Sequence, residues 1–106
     1  MTDFVKVADF DEIEEGQMMA VEVDGEPVCV ANVYGEICAF TDNCTHISGP
    51  LSEGDLEGEV VTCPWHRAQF NVRTGKVVCG PARQDILTYP VRVEGKSILI
   101  RLPDVE

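Results

Sequence analysis

Histidine is nearly absent: only His46 and His66 occur among 106 residues, so any imidazole chemistry has two side chains to draw on. Basic residues are also scarce, with 8 Lys and Arg against 19 Asp and Glu and a net charge of −11. Nucleic acids and anionic membranes are bound through clustered Lys and Arg, so neither is expected as a partner. A partner presenting a basic patch is favoured instead, with salt-sensitive association. No apolar run approaches the roughly 20 residues that span a bilayer. The start, Met1-Thr2-Asp3-Phe4, is acidic and unlike a signal peptide. A soluble, cytoplasmic protein is therefore expected. No glycine-rich dinucleotide fingerprint is present, which leaves flavin or NAD binding without support. The five cysteines are odd in number and carry no export signal, which points to a reduced compartment over a disulfide framework.

What is present is mostly strand. Val28 to Val33 is an almost unbroken apolar run, preceded by Val21-Glu22-Val23 and the turn dipeptide Asp24-Gly25. Tyr34-Gly35 separates that run from Ile37-Cys38-Ala39-Phe40. Thr74-Gly75 divides Phe70-Asn71-Val72 from Lys76-Val77-Val78, and Glu94-Gly95 divides Tyr89 to Val93 from Ser97 to Arg101. Short strands punctuated by turns predict an all-β antiparallel fold. One helical turn or two is expected over Asp9 to Gly16, where Val7, Phe10 and Ile13 recur at every third residue. It would plug one end of the sheets. With no repeat, low-complexity tract or linker, residues 1–106 read as one domain, taken as a monomer. Its middle, about Asp42 to Asp85, is richer in glycine, proline and loops.

Two boxes of ligand-type residues lie in that middle segment. Cys44-Thr45-His46 and Cys63-Pro64-Trp65-His66 together read C-x-H-x16-C-x2-H. Each pairs one soft thiolate with one imidazole, which suits an asymmetric 2Fe–2S cluster with two thiolates on one iron and two imidazoles on the other. A Cys2His2 set also suits structural zinc, although zinc fingers usually pair cysteine with cysteine and histidine with histidine. Cysteines in β loops that bind no metal are the plainest alternative. Cys29 and Cys38, set among apolar residues, read as small core residues. Cys79 opens the segment Cys79-Gly80-Pro81-Ala82.

On these boxes the sequence resembles the Rieske iron–sulfur family, and within it the small soluble ferredoxins, over essentially the whole chain. The resemblance implies a Rieske-type antiparallel β-sandwich or barrel base. A cluster-binding lobe, about residues 42–85, would be inserted in it. One 2Fe–2S cluster is implied, held by Cys44 and Cys63 on the buried iron and by His46 and His66 on the outer one, with a proline-bearing third loop beside Cys79 covering it. Respiratory Rieske proteins carry a further cysteine in each box, joined as a disulfide. The matching positions here are Gly49 and Trp65, so that bridge cannot form. Their serine and tyrosine hydroxyls, which donate to cluster sulfurs, match Ala68 and Phe70. Losing such donors lowers the potential, placing it near the low end of the Rieske range, about −150 mV.

Oxygenase subunits of the same family add an iron held by two histidines and a carboxylate. With both histidines given to the cluster, that second site cannot be built here. The implied function is a non-enzymatic carrier that takes one electron from an NAD(P)H-dependent flavoprotein reductase. It would pass it to the terminal oxygenase of a multicomponent aromatic-ring dioxygenase system. The alternatives are a Rieske-like structural or regulatory subunit, of the nitrite-reductase small-subunit type, and a zinc-binding interaction module. Ile47, Pro50, Leu51, Trp65 and Pro81 are expected to form an apolar docking rim around the histidines, with packing of the lobe as the competing role for Leu51 and Trp65. Arg67 would pair with an acidic group or face a partner.

Overall fold

The computed structural model describes residues 4–23, 25–42, 50–64, 67–79 and 85–101. Among these, eleven strands form three sheets. The first contains β1 (Val5–Asp9), β10 (Val91–Glu94) and β11 (Ser97–Ile100) in the order β1-β11-β10. The second contains β2 (Met18–Val23), β3 (Glu26–Val33), β4 (Glu36–Thr41) and β9 (Thr88–Tyr89) in the order β2-β3-β4-β9. The third is β5 (Asp55–Glu57), β6 (Val60–Thr62), β7 (Gln69–Asn71) and β8 (Val77–Cys79), a simple meander. Every pairing is antiparallel, as expected from the turn-punctuated sequence.

Strand β3 explains the unbroken apolar run. A strand sends alternate side chains to opposite faces, and both faces of β3 are covered. Cys29, Ala31 and Val33 enter one buried core, with Phe40, Leu51, Val61, Cys63, Ala68, Phe70, Val72 and Ile86. Val28 and Val30 enter a second core, with Ala8, Ile13, Val23, Ile37, Ala39, Tyr89, Ile98 and Ile100. Strand β4 divides in the same way, Phe40 to the first core and Ile37 and Ala39 to the second. A strand with one wet face alternates polar and apolar residues; one buried on both sides does not. The first core thus joins the β5–β8 meander to the second sheet, and the other joins the first sheet to it. Each fully buried Val, Leu, Ile or Phe contributes about 1.5–3 kcal/mol.

The expected helix is shorter than its pattern. Only a 3₁₀ turn, Phe10–Glu12, forms, because Val7 belongs to β1, which pairs with β11 on either side of an irregularity at Val7. The turn is fastened where the Asp9 N–H donates to Glu12 Oε1 at 2.8 Å. Ile13 behind it is buried in the second core, with Val7 and Phe10 packed against that core. Among the described residues, no helix is long and apolar enough to cross a membrane.

Candidate metal centre

The second ligand box sits in the loop of the β6–β7 hairpin. Thr62 pairs with Gln69 at the end of the ladder, and the Gln69 amide donates to Thr62 Oγ1 at 3.2 Å. Beyond that pair the Cys63 N–H donates to the Ala68 carbonyl at 2.8 Å, and the Arg67 N–H to the Cys63 carbonyl at 3.0 Å. Arg67 closes the loop with φ of 61°, a left-handed conformation uncommon for a residue with a side chain. Both backbone polar groups of Cys63 are therefore used within the loop, and its position is fixed. Its side chain is wholly buried, in the core that also holds Leu51, Ala68 and Phe70. Ala68 and Phe70 are buried without a hydroxyl to offer.

Of the four sequence-predicted ligands, Cys63 is described; Cys44, His46 and His66 lie outside the described residues. Among the described residues no three His, Cys, Asp or Glu side chains gather into a metal-holding group. The donor chemistry nonetheless fits an iron–sulfur cluster at Cys63. A thiolate is a soft donor that is costly to bury unless a positive charge faces it, and ferric iron supplies that charge. A cleft of about 460 Å³ runs beside the loop, lined by Glu53, Asp55, Cys63, Pro64 and Arg67. Arg67 is exposed there.

The base of the first box is also described, and its fastening was not foreseen. Asp42, only 8% exposed, precedes the box. Its carbonyl accepts the Leu51 N–H at 2.8 Å, and its carboxylate accepts the Ser52 N–H at 2.6 Å and the Ser52 hydroxyl at 3.1 Å. Leu51–Glu53, five residues past His46, forms a 3₁₀ turn. The sequence-level sign was an acidic residue two positions before Cys44 followed, past the box, by Leu51-Ser52.

The remaining cysteines separate as expected. Cys29 is fully buried, and burial first, then the Asp42 charge, pushes its thiol well above the ordinary value. Cys38 is half-buried beside the first core; burial raises its thiol, with the Arg73 charge opposing. Cys79 is exposed at the end of β8, and residues 80–84 beyond it are outside the described set. Of the two roles expected for Leu51, packing holds and the docking rim does not. Leu51 is fully buried, because the turn that carries it points it into the core beside Cys63. Pro50 is half-buried, while Ile47, Trp65 and Pro81 are outside the described residues.

Comparison with known proteins places this geometry. A family model described as Rieske [2Fe-2S] domain matches residues 3–90. The ferredoxin component of a naphthalene 1,2-dioxygenase system from Pseudomonas aeruginosa is 43% identical over 91 residues, covering 86% of this chain and 88% of that one. Among solved structures, the ferredoxin of carbazole 1,9a-dioxygenase from Nocardioides aromaticivorans IC177 superimposes with a TM-score of 0.88 at 32% identity, covering 92% of this chain and 95% of that one. A chain in a complex of reduced oxygenase and oxidized ferredoxin of carbazole 1,9a-dioxygenase does so with a TM-score of 0.88 at 32% identity, covering 92% of this chain and 91% of that one.

Proposed function

Since the chain belongs to the Rieske [2Fe-2S] domain family, we propose that it is the ferredoxin of an aromatic-ring dioxygenase system, carrying one electron at a time to a terminal oxygenase. The observation that carries this reading is 43% identity, over 86% of the chain, to a protein named as a dioxygenase ferredoxin component. The solved complex of an oxygenase with a ferredoxin of the same fold supports the identity of the acceptor. The protein is accordingly an electron-transfer component and not itself a catalyst. Its cofactor is one Rieske-type 2Fe–2S cluster, which when bound supplies a single reversible electron.

Cys44 and Cys63 supply the two thiolates and His46 and His66 the two imidazoles. About residues 42–85 make up the cluster-binding lobe, set within a single domain spanning the chain. Cys63 is the anchor of this set. Its backbone is immobilised by the Ala68 and Arg67 bonds, and its side chain is wholly buried in the core that also holds Leu51 and Phe70. The neutral imidazoles leave the site less negative than four thiolates would, and each keeps a second ring nitrogen whose proton can couple to redox state. The electron donor is an NAD(P)H-dependent flavoprotein reductase. A monomeric, cytoplasmic carrier with a net charge of −11 suits a reductase presenting a basic patch, and suits neither nucleic acid nor an anionic membrane.

Stopped-flow mixing of the reduced protein with the terminal oxygenase of an aromatic-ring dioxygenase tests the proposal. Re-oxidation of the carrier should match oxygenase reduction electron for electron. A cluster that reduces chemically yet passes nothing to any such oxygenase would leave a structural Rieske-like subunit.

A further inference from the structure

Gly49 and Trp65 leave the two ligand boxes with no cysteine pair to join them. The second box is held by its own hairpin. The first spans the segment between Asp42 and Pro50, and both ends of that segment meet at Asp42. The Asp42 N–H donates to the Pro27 carbonyl at 3.1 Å, which ties it to β3. From that anchored position it accepts three bonds from the far side of the box: the Leu51 N–H, the Ser52 N–H and the Ser52 hydroxyl. A carboxylate buried without donors is costly, whereas this one is satisfied by the residues it fastens.

A second contact ties the same turn to the other box. At Gly54 an added Cβ would lie 1.9 Å from the Thr62 carbonyl oxygen and 3.1 Å from Pro64 Cδ. The turn after the first box therefore lies backbone against backbone on the residues flanking Cys63. Leu51, from that turn, fills the core beside Cys63.

We propose that Asp42 and Gly54 are positioning residues that set the spacing of the two ligand boxes. Asp42 closes the base of the segment bearing Cys44 and His46, and Gly54 seats the turn that follows that segment against the residues flanking Cys63. A non-covalent clamp thus does what a bridge between the boxes would do. The proposal rests on the ligand assignment made above.

The test uses holoprotein variants Asp42→Ala, Asp42→Asn, Ser52→Ala and Gly54→Ala, with Cys44→Ala measured alongside. Two readouts apply: the electron paramagnetic resonance g values of the reduced cluster, and the rate of iron loss to a chelator. Asp42→Ala should shift or broaden the signal and speed iron loss about tenfold or more, the effect of losing hydrogen bonds to a charged group. Asp42→Asn keeps an oxygen for the Ser52 N–H and should restore most of the wild-type spectrum, which a general loss of stability would not. Gly54→Ala should shift the signal even with Asp42 intact. Wild-type g values and iron-loss rate in Asp42→Ala would overturn the proposal. Should that variant fail to fold, Ser52→Ala decides: a shifted signal supports the clamp and an unchanged one overturns it. If Cys44→Ala keeps the native spectrum, the ligand assignment falls, a result independent of how Asp42 behaves.

Discussion

Two cores share strand β3, and only one of them contains Cys63. Shortening a side chain in either should therefore cost similar stability but have different consequences for the cluster. Leu51 and Ile98 are both fully buried, Leu51 in the core with Cys63 and Ile98 in the other. Truncation of either to Ala costs about 2–5 kcal/mol, from lost burial plus the cavity left behind. For a domain of this size that lowers the melting temperature by roughly 10–30 °C. Melting alone will not separate the two variants. Well below both transitions, Leu51→Ala should broaden the electron paramagnetic resonance signal and speed iron loss to a chelator, because the cavity opens beside a ligand. Ile98→Ala should melt early yet keep the wild-type signal. Equal spectral damage in both, or a wild-type spectrum in a destabilised Leu51→Ala, would refute the division into a cluster core and a base core.

Ala68→Ser places a hydroxyl at a fully buried position next to the second box. If it donates to a cluster sulfur, the midpoint potential rises above the wild-type value by up to on the order of 100 mV. Potentiometric titration reads this directly, and an unchanged potential would remove hydroxyl donors from the account of the redox level. Cys29 gives a pH dependence. Burial first and Asp42 second raise its thiol above the ordinary 9.0, so the folded state holds the proton more tightly than the unfolded state. The stability it contributes is complete below pH 9.0 and is lost as pH climbs above that towards the raised folded value. Denaturant midpoints should fall on going from neutral pH to about pH 10, less steeply in Cys29→Ala. Some slope should survive, since Tyr89 is raised in the same direction, chiefly by burial. Finally, a chain of charge −11 should lose about tenfold in association rate with a basic partner when salt rises from tens to hundreds of millimolar. Stopped-flow traces independent of salt would contradict electrostatic steering.

The hairpins were legible where a turn dipeptide separates two β-rich runs. Gly25, Gly75 and Gly95 all adopt positive φ at such turns, where glycine alone is free of strain. The pairing of β1 with β11, near opposite ends of the chain, was not legible, because no local signal specifies a long-range partner. The β5–β6 hairpin was also missed: each strand has three residues, too few for alternation to emerge. The helical segment was legible as one turn, though not its bounds, because Val7 fits a three-residue period and a strand equally well. At the site, the spacing of cysteine and histidine was enough to name the boxes. It did not reveal the Asp42 fastening, which depends on where a turn lands after the loop closes. Hydrophobicity left Leu51 open between the docking rim and packing of the lobe; the core that holds Cys63 claimed it.

The most direct test of the central claim is electron paramagnetic resonance of the purified protein after dithionite reduction, with iron and zinc quantified on the same sample. A mixed Cys/His cluster should give a rhombic signal whose average g value lies below the free-electron value, with two irons per chain. A silent, colourless protein containing zinc would contradict the cluster and the carrier function built on it.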